Sequence, residues 1–163
     1  MDWTIHIGIV VRNVADLIGL VTRFESGGRK DAVLRSTDGD EIAIEWEWSS
    51  VLGKANELEK LKKHKVRPKG KERLKYAVLI TYTHTYNIDK VYERVLSEWK
   101  EAPWPLLLIL IDVIDVPKRK ITSGKDFQNI RMCVFDKNEH RKLRIAPAFL
   151  WKVSGTRWDE ERE

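Results

Sequence analysis

The clearest alternation of apolar and polar positions lies between Asp31 and Trp48. Ala32 and Leu34 in one run, and Ile42, Ile44, Trp46 and Trp48 in the next, fall on one face of two strands, because successive side chains alternate. Thr37-Asp38-Gly39 separates the runs, and a glycine at the third loop position suits a type I turn closed by a G1 bulge. That loop sets Ser36 against Asp40 and, counting outward, Asp31 against Glu45. Glu47 shares their face, so a hairpin with one apolar side gathers three carboxylates on the other. A two-residue turn would slip the register by one and separate Asp31 from Glu45.

The remaining elements follow from periodicity and end signals. Up to about Val11 both a strand alternation (Trp3, Ile5, Ile7, Ile9) and a helical period fit. From Asn13 the pattern predicts a helix to Glu25, with an apolar stripe at 14, 17, 18, 21 and 24 and a stop at Gly27-Gly28. After the hairpin, Leu52, Ala55, Leu58 and Leu61 predict a helix from about Leu52 to Lys65. Lys54, Lys62 and Lys65 flank its stripe, and Lys60 and Lys63 point away. Leu74–Thr83 and Leu106–Val113 are nearly continuous apolar runs, as strands buried on both faces should be. Between them Asn87 caps a helix carrying Ile88, Val91, Tyr92, Val95 and Trp99 on one face. Strand, helix, strand at this length is the crossover of a parallel pair. Strands near Ile130–Phe135 and Leu143–Leu150, with a turn at Lys137-Asn138, complete the chain as a hairpin. His64 and His84 lack a second histidine at ligand spacing and read as ordinary surface or strand-end residues.

The whole is an α/β chain of 163 residues, most simply one domain with its core in roughly 13–116. The apolar run from Leu106 is broken by Asp112 and Asp115 and is too short to span a bilayer. A single cysteine, Cys133, excludes an intrachain disulfide or a thiolate cluster and fits a reducing, cytoplasmic setting. Charge changes the picture more. Ten Lys and Arg against three Glu between Lys54 and Lys75 make a net of +7 in a chain of +5, leaving −2 for the rest. Such a block is either a footprint for a polyanion or a solvated face.

No glycine-rich loop precedes a helix and no serine elbow is present, so the carboxylate hairpin is the chemical candidate. Three carboxylates repel and raise one another's pKa; a divalent cation relieves that cost, and oxygen ligands favour Mg2+, Mn2+ or Ca2+. The bland alternative is a strand face paired with lysines.

A helix ending in Glu25, a strand beginning with Asp31, a strand ending Ile44-Glu45-Trp46-Glu47, a Lys-rich helix and an apolar strand together resemble the PD-(D/E)xK nuclease superfamily. The likeness covers residues 13–83 and implies a restriction-endonuclease-like mixed sheet flanked by helices. It also implies a Mg2+- or Mn2+-dependent DNA endonuclease, with Asp31, Glu45 and, from the preceding helix end, Glu25 as metal ligands. Lys30 replaces the motif proline, and Glu47 stands where the motif carries lysine. The resemblance leaves Glu47 as a ligand or water-orienting group, has Lys54 or Lys62 supply the lysine, or leaves a non-catalytic nucleic-acid-binding protein. Lys60, Lys63, Lys65, Arg67 and Lys69, with Lys118, Arg119 and Lys120, would neutralise phosphates. Trp104, Trp151 and Trp158 are candidates for base stacking. Cutting two strands implies a homodimer.

Overall fold

The computed structural model describes residues 3–26, 30–47, 51–53, 56–67, 74–115 and 125–148. Helix α1 (Trp3–Leu17) leads into a meander of β1 (Val21–Ser26), β2 (Lys30–Ser36) and β3 (Gly39–Glu47). Then come α2 (Glu57–Lys62), β4 (Tyr76–His84), α3 (Ile88–Trp99) and β5 (Leu106–Asp115). A hairpin of β6 (Lys125–Asp136) and β7 (Glu139–Pro147) closes the described chain. The seven strands form one sheet in sequential order. β3, β4 and β5 run parallel and every other neighbouring pair is antiparallel, so the sheet is mixed.

Both faces of the sheet are covered. On one, α2 and α3 bury Leu58, Leu61, Val91, Val95 and Trp99 against Ala43, Leu79, Leu106 and Leu108. On the other, Val11 and Ala15 of α1 pack on Ala32, Leu34, Ile44, Val78 and Ile80. The crossover from β4 through α3 to β5 is the one the apolar runs predict. Asn87 holds the N-cap position of α3 without a side-chain bond, and a 3-10 turn at Thr85–Asn87 precedes it. β7 begins four residues before the expected strand, because its outward face is charged and carries little apolar signal.

The first helix differs from expectation. It covers the ambiguous N-terminal stretch and stops at Leu17, and the segment expected to continue it to Glu25 is instead the edge strand β1. Gly19, at φ 72°, ends the helix. The Leu20 amide donates to the Ala15 carbonyl at 2.9 Å and the Gly19 amide to Asp16 at 3.2 Å, a Schellman closure. Leu20 then packs into the same cluster as Ala15. Consequently Val14, Leu17, Ile18, Val21 and Phe24, the expected buried stripe, are all exposed.

The hairpin turn also differs. Ser36 pairs with Gly39 and Arg35 with Asp40 around a two-residue turn, which by itself would break the carboxylate pairing. A bulge follows, and Leu34 pairs with Ile42, so Glu41 is the extra residue. Ala32 opposite Ile44 then places Asp31 beside Glu45, the register that the three-residue loop predicts. Gly39 takes φ 123°, a conformation closed to most side chains.

The Schellman closure makes a specific stability prediction. A Cβ at residue 19 would meet no atom within 4 Å, so Gly19→Ala carries only the left-handed backbone cost, about 1–2 kcal/mol. Gly19→Asn should cost less. Denaturant titration checks both; an unchanged midpoint for the alanine variant would refute this account of the helix end.

Candidate functional site

Asp31 lies at the start of β2 and Glu45 near the end of β3, where the sheet opens. Asp31 Oδ2 accepts a hydrogen bond from the Trp46 amide at 2.7 Å, which fixes the carboxyl against the neighbouring strand. The Asp31 and Glu45 carboxyl groups are hydrogen-bonded to each other. Glu45 is 1% exposed, and its Oε1 has no hydrogen-bond partner. Burial, then the Asp31 charge, pushes the Glu45 pKa up to about 8 despite the nearby Lys60 and Lys30. Burial also raises Asp31, against the pull of the Trp46 amide, so the two carboxyls share a proton near neutral pH.

The cation facing this pair is Lys60. Its Nζ lies 3.6 Å from Glu45 Oε2 and 3.3 Å from Glu57 Oε1. Partial burial works against its charge, but Glu45 and Glu57 hold its pKa above the ordinary lysine value. This corrects the expected helix face. α2 begins at Glu57 and not at Leu52, and it buries Leu58 and Leu61. Glu57 and Lys60, one turn apart, therefore occupy the flank that meets β3. Lys62 lies on the other flank, where its Nζ donates to the Glu98 carbonyl of α3 at 3.1 Å. Lys62 is thus not part of the site, and Lys54 lies outside the described residues.

Glu47 is half-buried two residues beyond Glu45, close enough for its charge to help raise the Asp31 pKa. Glu25 falls opposite Asp31 in the β1–β2 register, and both line a cleft beneath α1 with Arg12 and Trp46. Glu25 sits on β1 and not at a helix end, is exposed, and adopts φ 49°. Among the described residues no three His, Cys, Asp or Glu side chains converge closely enough to hold an ion together.

Beside the pair, Lys30, Asn56, Glu59, Lys60, Lys63, Lys65 and Arg67 line a basic pocket. Lys63 is also paired with Glu59. Lys30, which the sequence marks only as a departure from the motif, is buried there; desolvation lowers its pKa while Glu45 opposes that shift. Lys69, Lys118, Arg119, Lys120, Trp151 and Trp158 lie outside the described residues. Trp104 is 4% exposed in the core, with its carbonyl accepting from Trp99 Nε1, so it is no stacking platform.

Two buried polar groups carry little sequence signal. His64 is not a surface residue: it is buried, its Nε2 lies 3.1 Å from Asp40 Oδ2, and desolvation lowers its pKa. Asp40 also meets Arg35 Nε at 2.8 Å and the Arg67 amide at 2.9 Å, tying the segment after α2 to β3. Asp112, fully buried in β5, is satisfied by Arg131 and by the Asn129 amide at 2.7 Å. The only hint of it is a lone acid inside an apolar run.

The raised Glu45 pKa links stability to pH. A carboxyl whose folded pKa lies above its unfolded value contributes fully below about 4.5, and that contribution is lost as pH rises through about 8. In chelator-treated protein, stability should therefore fall between pH 5 and pH 8.5, and Glu45→Gln should flatten the slope. At the alkaline end the variant should be the more stable by roughly 1–3 kcal/mol. Urea titrations at both pH values check this, and parallel pH slopes for the two proteins would count against it.

No protein-family model matches this sequence, and no curated protein matches it significantly.

Proposed function

We propose that this protein is a metal-dependent endonuclease that hydrolyses DNA phosphodiester bonds, with a restriction-endonuclease-like core. The observation that carries the reading is the contact between the Asp31 and Glu45 carboxyls on adjacent strands, with Lys60 facing them. The order of helix, three-stranded meander, helix and parallel strand supports the fold assignment.

The residues fit a divalent ion. The carboxyls share a proton that a cation would displace, and the orphaned Glu45 Oε1 is an oxygen donor with nothing to bind. Asp31 and Glu45 would hold Mg2+ or Mn2+; two carboxylates, with water and substrate phosphate completing the shell, is the usual magnesium arrangement. When bound, such an ion neutralises phosphate charge and acidifies a water.

The chain's own groups divide the remaining work. Lys60, held protonated by its two glutamates, serves as a cation beside the phosphate and not as a base. Glu47, two residues beyond Glu45 on β3, would accept a proton from the attacking water. Lys30, Lys63, Lys65 and Arg67 line the path along which the backbone phosphates bind, so affinity falls as salt rises. Lys60 thereby takes the part that the resemblance assigns to a lysine on β3.

A second reading is a DNA-binding protein without cleavage. It is favoured by Glu47 at the motif lysine position and by the Lys60–Glu45 pair, which neutralises the acid without a metal. Plasmid nicking with Mg2+ or Mn2+ separates the two. Wild type and Lys62→Ala should nick equally, whereas Asp31→Ala, Glu45→Ala and Lys60→Ala should each lose on the order of 100-fold. Salt-sensitive binding with no nicking establishes the second reading, and equal nicking by every variant removes this site from the chemistry.

A further inference from the structure

We infer, on the nuclease reading above, that the cleft beneath α1 receives an unpaired nucleobase, so that the preferred substrate is DNA whose nucleotide beside the scissile phosphate lies outside a duplex. Ile5, Gly8, Ile9 and Arg12, at helical spacing, lie along one stripe of α1 and form one wall of the cleft. Phe24 of β1 and Trp46 of β3 form the other, their rings edge to face with centroids 6.5 Å apart. Phe24 is 46% exposed, and Ile5 and Ile9 are exposed as well, so apolar walls stand open to solvent. The space between them is about 360 Å3. That is near the lower end of the range for ligand clefts and suits one base with its sugar.

Gly8 is the observation that points to an occupant. It lies in the middle of α1, where glycine is costlier than alanine because more backbone freedom is lost. A Cβ there would meet the Phe24 ring at 3.6 Å, an ordinary contact, so close packing does not call for a glycine. The missing side chain leaves the Phe24 ring open to the cleft.

The neighbours of the cleft select a base. Asp31 lines it and is also bonded to Glu45, so the cleft adjoins the carboxyl pair. Two carboxylates, Glu25 and Asp31, border it with one cation, Arg12, a balance that disfavours phosphate or another anion. The phosphates have the pocket lined by Lys30, Lys60, Lys63, Lys65 and Arg67. Lys30 of that pocket and Asp31 of the cleft are consecutive on β2, within the span of one nucleotide. Arg12 and Glu25 offer a donor and an acceptor to the edge of the base, and the rings cover its face whichever base it is. A base stacked within a duplex does not reach such a cleft without leaving the stack.

The test is binding of the full chain in chelator, by fluorescence anisotropy, to a labelled duplex and to the same duplex with one unpaired nucleotide. Wild type should bind the second about tenfold more tightly, and an abasic unpaired nucleotide should remove that advantage. Gly8→Leu, which fills the cleft, should bind both DNAs alike. Gly8→Ala should narrow the difference while raising the denaturant midpoint. A preference that Gly8→Leu abolishes, in a protein that cuts neither DNA with Mg2+, would support the base site and count against the nuclease reading. Cleavage with equal affinity for the two DNAs, or a preference indifferent to Gly8→Leu, would overturn the base site and leave the nuclease reading standing. A lowered midpoint for Gly8→Ala would also overturn it, since the glycine would then serve packing. Absence of binding to either DNA at low salt would overturn both.

Discussion

One extra residue in β3 sets the arrangement on which the site depends. Side chains on a strand alternate, so pairing β2 with β3 one residue out would send Glu45 to the α1 face and Trp46 to the α2 face. The two-residue turn after Ser36 starts the ladder in that slipped register, and the bulge at Glu41 corrects it within two pairs. The bulge is itself held in place. Glu41 is buried, accepts from Ser36 Oγ at 2.6 Å and pairs with Lys75 Nζ at 3.2 Å. Its carbonyl accepts from the Lys75 amide as the chain enters β4. The same contacts that set the hairpin register therefore also set where the parallel strand begins.

Burial of Glu45 is the consequence with chemical content. An isolated carboxylate at that depth is costly, and the structure lessens the cost in three ways: a proton shared with Asp31, a lysine on α2, and a second lysine at the head of β2. The shared proton is what relieves the repulsion between the two acids, and its loss restores that repulsion. Such an arrangement is poor for stability and good for capturing a cation, since an ion that binds the folded chain alone gains whatever the shared proton leaves unsatisfied.

Much of this was legible before the fold. Long apolar runs separated by an amphipathic helix identified β4, α3 and β5, because burial on both faces leaves little ambiguity. Asp31 and Glu45 were paired correctly for a reason that hides one step: a two-residue turn plus a one-residue bulge counts the same as a three-residue loop. The first helix misled because its apolar residues surround the axis. The apolar positions 14, 17 and 18 are followed at helical spacing by Val21 and Phe24, so the stripe runs on past Gly19 into what is a strand. Extending the stripe of α2 back to Leu52, five residues before the helix begins, favours Lys62 over Lys60. His64 pairs with Asp40, 24 residues away, and Asp112 with Arg131, 19 away. No local pattern reports a partner at that distance.

The shortness of α2 explains why Asp40 matters to the site. Six residues do not hold a helix by themselves, so the position of Lys60 depends on what fixes the helix at its ends. Leu58 and Leu61 anchor one side in the core. Beyond the C-terminus, His64 and the Arg67 amide are held by the Asp40 carboxyl, and the Asp40 amide donates back to the Arg67 carbonyl at 2.6 Å. Asp40 and Glu45 lie on the same strand, one on each side of the bulge. β3 thus carries the buried acid and also the tether for the helix that brings its lysine. A shift of the helix against the strand would strain the tether before it separated the pair.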